Sequence, residues 1–72
     1  EYDKASEYYK KALELNPNHT NNNGNYAIYL HTIAKDYKKA EKYFKKALAL
    51  DSHHTNNVKN YELFLLDKEN KK

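Results

Sequence analysis

Apolar positions recur at spacings of three and four along most of the chain, the mark of one buried face on an α-helix. Tyr2, Ala5, Tyr9, Ala12 and Leu13 make the first such stripe, and Tyr26, Tyr29, Leu30 and Ile33 the second. Tyr37, Ala40, Phe44, Ala47 and Leu48 make the third, and Val58, Tyr61, Phe64 and Leu65 the fourth. The stripes predict an all-α fold with four helices near residues 2–15, 20–34, 37–50 and 55–68. Asn16-Pro17-Asn18 separates the first two, because proline has no amide hydrogen to donate and restricts the residue before it. Thr20 and Thr55 are the expected N-caps, each with a hydroxyl that can accept from a free amide of the first turn. Residues 69–72 are expected to fray.

The four stripes are two copies of one pattern. A shift of 35 positions lays Lys11-Ala12-Leu13 on Lys46-Ala47-Leu48 and His19-Thr20-Asn21-Asn22 on His54-Thr55-Asn56-Asn57. It also pairs Asn25-Tyr26 with Asn60-Tyr61, Tyr9 with Phe44, Tyr29 with Phe64 and Leu30 with Leu65. A helix–turn–helix unit of this period implies a stacked solenoid rather than a globule with a single centre.

The residues of the unit resemble a tetratricopeptide repeat. Asp36-Tyr37, Ala40, Phe44, Ala47, Leu48 and Leu50 are similar to its second helix, and Glu1-Tyr2, Ala5, Tyr9, Ala12, Leu15 and Pro17 match it again. Small Ala5 and Ala40 let a neighbouring backbone approach, while Tyr9 and Phe44 fill the wider gap. The first helix departs further, with Asn23 and Val58 where the family usually has Trp, and Tyr26 and Tyr61 where it usually has Leu. The resemblance implies antiparallel helix pairs stacked as a short right-handed solenoid, in permuted phase. Residues 1–17 would be the second helix of a preceding repeat, 18–52 a complete repeat, and 53–68 the first helix of a following one, together a single domain over 1–68.

Composition then narrows the chemistry. At 72 residues, 39% hydrophobic, the chain could bury only a marginal lone core. It has no Cys to form a disulfide or thiolate metal site, and with one Gly and one Pro it lacks the turn material of a β-sandwich. Lacking Met, the sequence is expected to be a fragment or a processed product. No apolar stretch approaches the roughly 18 residues of a membrane span. No signal-peptide pattern opens the chain, which in a fragment leaves the compartment open, with the cytoplasm favoured.

Candidate catalytic and metal groups are sparse. The four His include no HExxH spacing, and His53-His54 is an adjacent pair that cannot easily aim both rings at one ion, so no metal, cofactor or enzymatic activity is expected. All 13 basic residues are Lys. Lys38, Lys39, Lys42, Lys45 and Lys46 crowd one helix, but acids interleave and no Arg is present to read base edges, so a solvated face is expected rather than a nucleic-acid site. Asn18-His19-Thr20 fits the glycosylation sequon, a chance triplet in an Asn-rich chain.

The resemblance implies a concave groove lined by the first helices, holding an extended peptide or a partner helix. It would receive Asn21, Gly24, Asn25, Ile28, His31 and Thr32, then Asn56, Lys59, Asn60, Leu63 and Leu66. Ile28 and Leu63 support this from the pattern alone, since each lies off its packing stripe. The alternative expectation is self-association, head-to-tail or by helix exchange, through Tyr2, Tyr9, Tyr61, Phe64 and Leu65 on the terminal helices.

Overall fold

The structure, a computed structural model, describes residues 2–70, and for Tyr2 and Asp3 the backbone only. Four helices follow in order: α1 (Tyr2–Leu15), α2 (Thr20–Thr32), α3 (Tyr37–Leu50) and α4 (Thr55–Asn70). There is no strand among the described residues. α2 packs most extensively on α3 and also meets α1 and α4, as expected of stacked antiparallel repeats.

The close approach of α2 and α3 rests on small residues. Ala27 and Ala40 are fully buried, with no bulk between the backbones, and Phe44 and Phe64 fill the space beyond them. Aromatic rings bridge the layers on either side. Tyr9 lies 5.9 Å from Tyr26 and 5.7 Å from Tyr29, while Phe44 lies 5.3 Å from Phe64 and 5.7 Å from Tyr61. Such ring pairs contribute about 0.5–1.5 kcal/mol each beyond their buried area, a large share for so small a core.

The helix ends differ from the expectation in three places. The N-cap groups are His19 and His54, not Thr20 and Thr55: each imidazole Nδ1 accepts from an amide three residues on, Asn22 and Asn57, at 3.2 Å. α2 stops at Thr32 rather than 34. The amides of Ile33 and Ala34 both donate to Tyr29 O, Asp36 N donates to Leu30 O, and Lys35 takes a left-handed φ of 59°. α4 runs on to Asn70, so the expected fraying at 69 and 70 is not seen, and residues 71–72 lie outside the described residues. α3 opens on Asp36, whose carboxylate accepts from Lys39 N at 3.2 Å.

Asn23, at the position where the family usually has Trp, is fully buried. Its Nδ2 donates to Pro17 O at 3.1 Å and His19 O at 2.9 Å, so the side chain fastens the α1–α2 loop from inside.

Candidate functional site

α2 and α4 run along the same side of the molecule, and their N-terminal halves enclose a cleft of about 370 Å3. Asn21, Asn25 and Ile28 line it from α2, and His54, Asn56, Asn57 and Asn60 from the other side. Five of the residues nominated for the groove therefore meet in one place: Asn21, Asn25, Ile28, Asn56 and Asn60. The wall is made almost wholly of carboxamides, groups that both donate and accept. No Lys, Asp or Glu is among them.

His54 organises the mouth of this cleft. Its Nδ1 accepts from Asn57 N, and its Nε2 lies 2.6 Å from Asn21 Oδ1. The two contacts are compatible only if the proton sits on Nε2, which donates to Asn21 while Nδ1 keeps its lone pair. Deeper in, the Asn57 carboxamide rests against Gly24. A β-carbon on Gly24 would lie 2.7 Å from Asn57 Cγ, closer than such atoms approach. Glycine inside a helix costs about 0.5–1 kcal/mol relative to alanine, and here it makes room for that amide.

The remaining nominated residues fall elsewhere. Thr32 lines a neighbouring cleft of about 340 Å3 between α1 and α2 with Ala5, Tyr9, Asn25, Ile28, Tyr29 and Ile33. Its hydroxyl is engaged within α2, donating to Ile28 O at 2.8 Å. Lys59 lines a separate surface depression with Ser52, His53, Thr55, Val58 and Glu62, away from the asparagines. Leu63 and Leu66 are exposed on α4. His31 is not an open groove residue: its side chain is 12% exposed, with Nε2 2.9 Å from Asp67 Oδ2 and its ring edge-on to Phe64. Tyr37 Oη donates to the same Asp67 oxygen at 3.2 Å.

Among the residues nominated for self-association, Phe64 is fully buried against Phe44 and cannot face a second copy from that position. Tyr61 and Tyr9 are half-buried and packed on the same core. Leu65 is exposed. The Tyr2 side chain lies outside the described residues.

Two residues of the cleft wall escaped sequence reasoning. Asn57 is one position from a nominated neighbour. Its signal was a lone glycine in the middle of a predicted helix, which needed a tertiary reason. His54 enters the sequence reading only as half of an adjacent histidine pair. Toward the C-terminal end of α4, Lys68 donates to Glu41 Oε1 at 2.8 Å and ties α3 to α4. That hydrogen bond holds the Glu41 carboxyl below the ordinary carboxylate range, with the charges of Lys68 and Lys45 adding and partial burial opposing.

No described helix is long and apolar enough to cross a membrane. The family model described as "TmcB, TPR repeats" matches residues 1–57, from α1 into the first turn of α4. No curated protein and no solved structure gives a significant match.

Proposed function

The chain belongs to the TmcB family of tetratricopeptide (TPR) repeats, in general non-catalytic protein-interaction modules, and we propose that it holds an extended segment of a partner protein in the cleft between α2 and α4. The observation that carries this is the convergence of Asn21, Asn25, Ile28, Asn56 and Asn60 on that single cleft. Carboxamides can hold a peptide backbone through its amide and carbonyl groups, and Ile28 adds an apolar contact. The cleft is short, so micromolar or weaker affinity is the expected range. The test is a binding peptide selected from a display library, then titrated into wild type and the Asn25→Ala/Asn60→Ala variant. Affinity should fall about tenfold or more while circular dichroism stays unchanged. Unchanged affinity would remove the assignment.

Head-to-tail self-association is the second reading, and exposed Leu63, Leu65 and Leu66 on α4 favour it. Against it, Glu62 occupies the place matching fully buried Ala27. A second copy stacked on α4 as α3 stacks on α2 would bury that carboxylate against Ala5, without a cation in the matching position. Sedimentation over a concentration series is expected to show a monomer throughout. A concentration-dependent rise in mass would reverse the ranking.

A further inference from the structure

α1 and α3 both pack on α2 but, among the described residues, not on each other. Between them lies a cleft of about 380 Å3 that shares no residue with the α2–α4 groove. α1 supplies Lys10, Leu13 and Glu14 to its walls, and α3 supplies Lys39, Tyr43 and Lys46. Buried Tyr26 of α2 lines it too, with its ring edge-on to Tyr43 at 4.8 Å. Lys39, Tyr43 and Lys46 follow the four-and-three spacing of one helix face, so two cations flank an aromatic ring along about 10 Å of α3.

The charges of this cleft are unbalanced. Three ammonium groups stand against the single carboxylate of Glu14. Among the described residues none of Lys10, Lys39 and Lys46 has an ion-pair or side-chain hydrogen-bond partner, although Glu14 is four residues from Lys10 on the same helix. The acids nearest along α3 are already engaged. Glu41, the only acid of that helix, takes Lys45 at 3.6 Å and Lys68 at 2.8 Å, and Asp36 caps the helix through Lys39 N. Lys10 and Lys39 are exposed and Lys46 is half-buried, so a ligand can reach all three. A half-buried cation gains more from an incoming anion than a fully hydrated one, because less water screens the pair. Lys42 adds a fourth cation beside the cleft, its Nζ 5.6 Å from the centre of the Tyr43 ring.

Leu13, Tyr26 and Tyr43 set apolar surface among these cations, so the matching ligand is acidic and also carries an apolar side chain. Phosphate is a poorer match. The chain has no Arg to grip it with a planar fork, the α3 N-terminus is filled by Asp36, and Glu14 repels a dianion more than a single carboxylate.

We propose that the α1–α3 cleft is a second binding site, taking a short acidic segment of a partner protein. Its carboxylates meet Lys10, Lys39 and Lys46, and an apolar side chain between them rests on Leu13 and Tyr43. The site stands apart from the α2–α4 groove, and neither reading depends on the other.

The probe is an acetylated, amidated Glu-Glu-Phe-Glu-Glu peptide, titrated into the 15N-labelled chain while backbone amides are followed. It should shift Leu13, Tyr43 and Lys46 saturably and bind about tenfold tighter than the Gln-Gln-Phe-Gln-Gln counterpart. Added salt should weaken it. Lys39→Gln/Lys46→Gln should lower its affinity about fivefold or more. Lys4→Gln/Lys38→Gln removes the same charge from exposed positions outside the cleft and should lower it less than about twofold. Glu14→Gln should tighten binding about twofold, a gain that loss of structure cannot produce. Equal losses from the two lysine pairs overturn the proposal, since attraction to net charge alone would explain them. So do equal affinity for the glutamine peptide and shifts confined to Asn25 and Asn60. Tighter binding of an oligothymidylate or of phosphatidylserine vesicles at the same amides overturns the partner class, in favour of nucleic acid or membrane.

Discussion

α2 and α4 are counterparts 35 residues apart, and they occupy very different surroundings. α2 has helices on both flanks. α4 has α3 and α2 on one side and solvent on the other. Matching positions record this directly. Leu30 is 4% exposed and Leu65 is 42% exposed, although the two sit at the same place in the repeat. Ala27 is fully buried where Glu62 is exposed, and buried Gly24 corresponds to exposed Lys59. The apolar stripe is shared, so it reports only which face could be buried. The residues just beside the stripe report whether a neighbour is accommodated. A carboxylate at Glu62 and a long cation at Lys59 mark the outer surface of α4 as one that solvates.

The sharpest way to break this comparison is to exchange the marker residues. Ala27→Glu would place a carboxylate between α2 and α3 at a site with no exposure, and should cost more than about 3 kcal/mol, enough to abolish a cooperative urea transition. Glu62→Ala, the reverse exchange, should change stability by less than about 0.5 kcal/mol. Similar losses from both would show that α4 is not an open face. Next in size, Asn23→Val copies Val58 into α2. It removes the side-chain bonds to Pro17 O and His19 O, and should cost about 1–3 kcal/mol, while Val58→Asn should gain nothing comparable.

Removal of the histidine caps comes third. His19→Ala and His54→Ala should each cost about 1 kcal/mol, with His54 the larger because it also bonds Asn21. A His19→Asn/His54→Asn variant keeps a side-chain acceptor at each N-cap and should recover most of that loss in a urea melt. No recovery would show that capping is not the source of the loss.

The smallest effect belongs to the α3–α4 tie, which has no counterpart between α1 and α2, where Ser6 and Ile33 stand at the matching positions. Because the folded-state pKa of Glu41 is lowered, its contribution is complete above the unfolded-state value and disappears as pH falls through the folded one. Glu41→Gln should lower stability near neutrality by no more than about 0.5 kcal/mol, and remove that acid-side dependence. A thermal melt series across the acid range would measure both.

Much of the fold was legible because a repeat states its pattern twice. The ranges of α1 and α3 followed directly from stripes and breakers. The caps did not, since imidazole Nδ1 is an unusual acceptor there and the adjacent threonines are the ordinary choice. The end of α2 was hidden because Lys35 adopts a left-handed conformation without the glycine that usually marks one. For the site, the groove positions at Asn21, Asn25, Asn56 and Asn60 were accessible through family resemblance. His31 was misjudged because its partner, Asp67, is 36 residues away and corresponds to Thr32, so the repeat holds no second instance of the pair. The burial of Asn57 depends on space left by Gly24 on another helix, which no one-dimensional pattern displays.

The seat formed by Gly24 and Asn57 bears on modular engineering. Residues 18–52 contain both halves of that contact, since Asn22 is the counterpart of Asn57. A synthetic array made by concatenating this segment would set the asparagine of each copy into the glycine notch of the one before. Every junction would then repeat the same packing of an asparagine amide on a glycine. Lys59 stands where that notch would be in α4, and Lys59→Gly with Glu62→Ala would give α4 the notch and the small residue of α2.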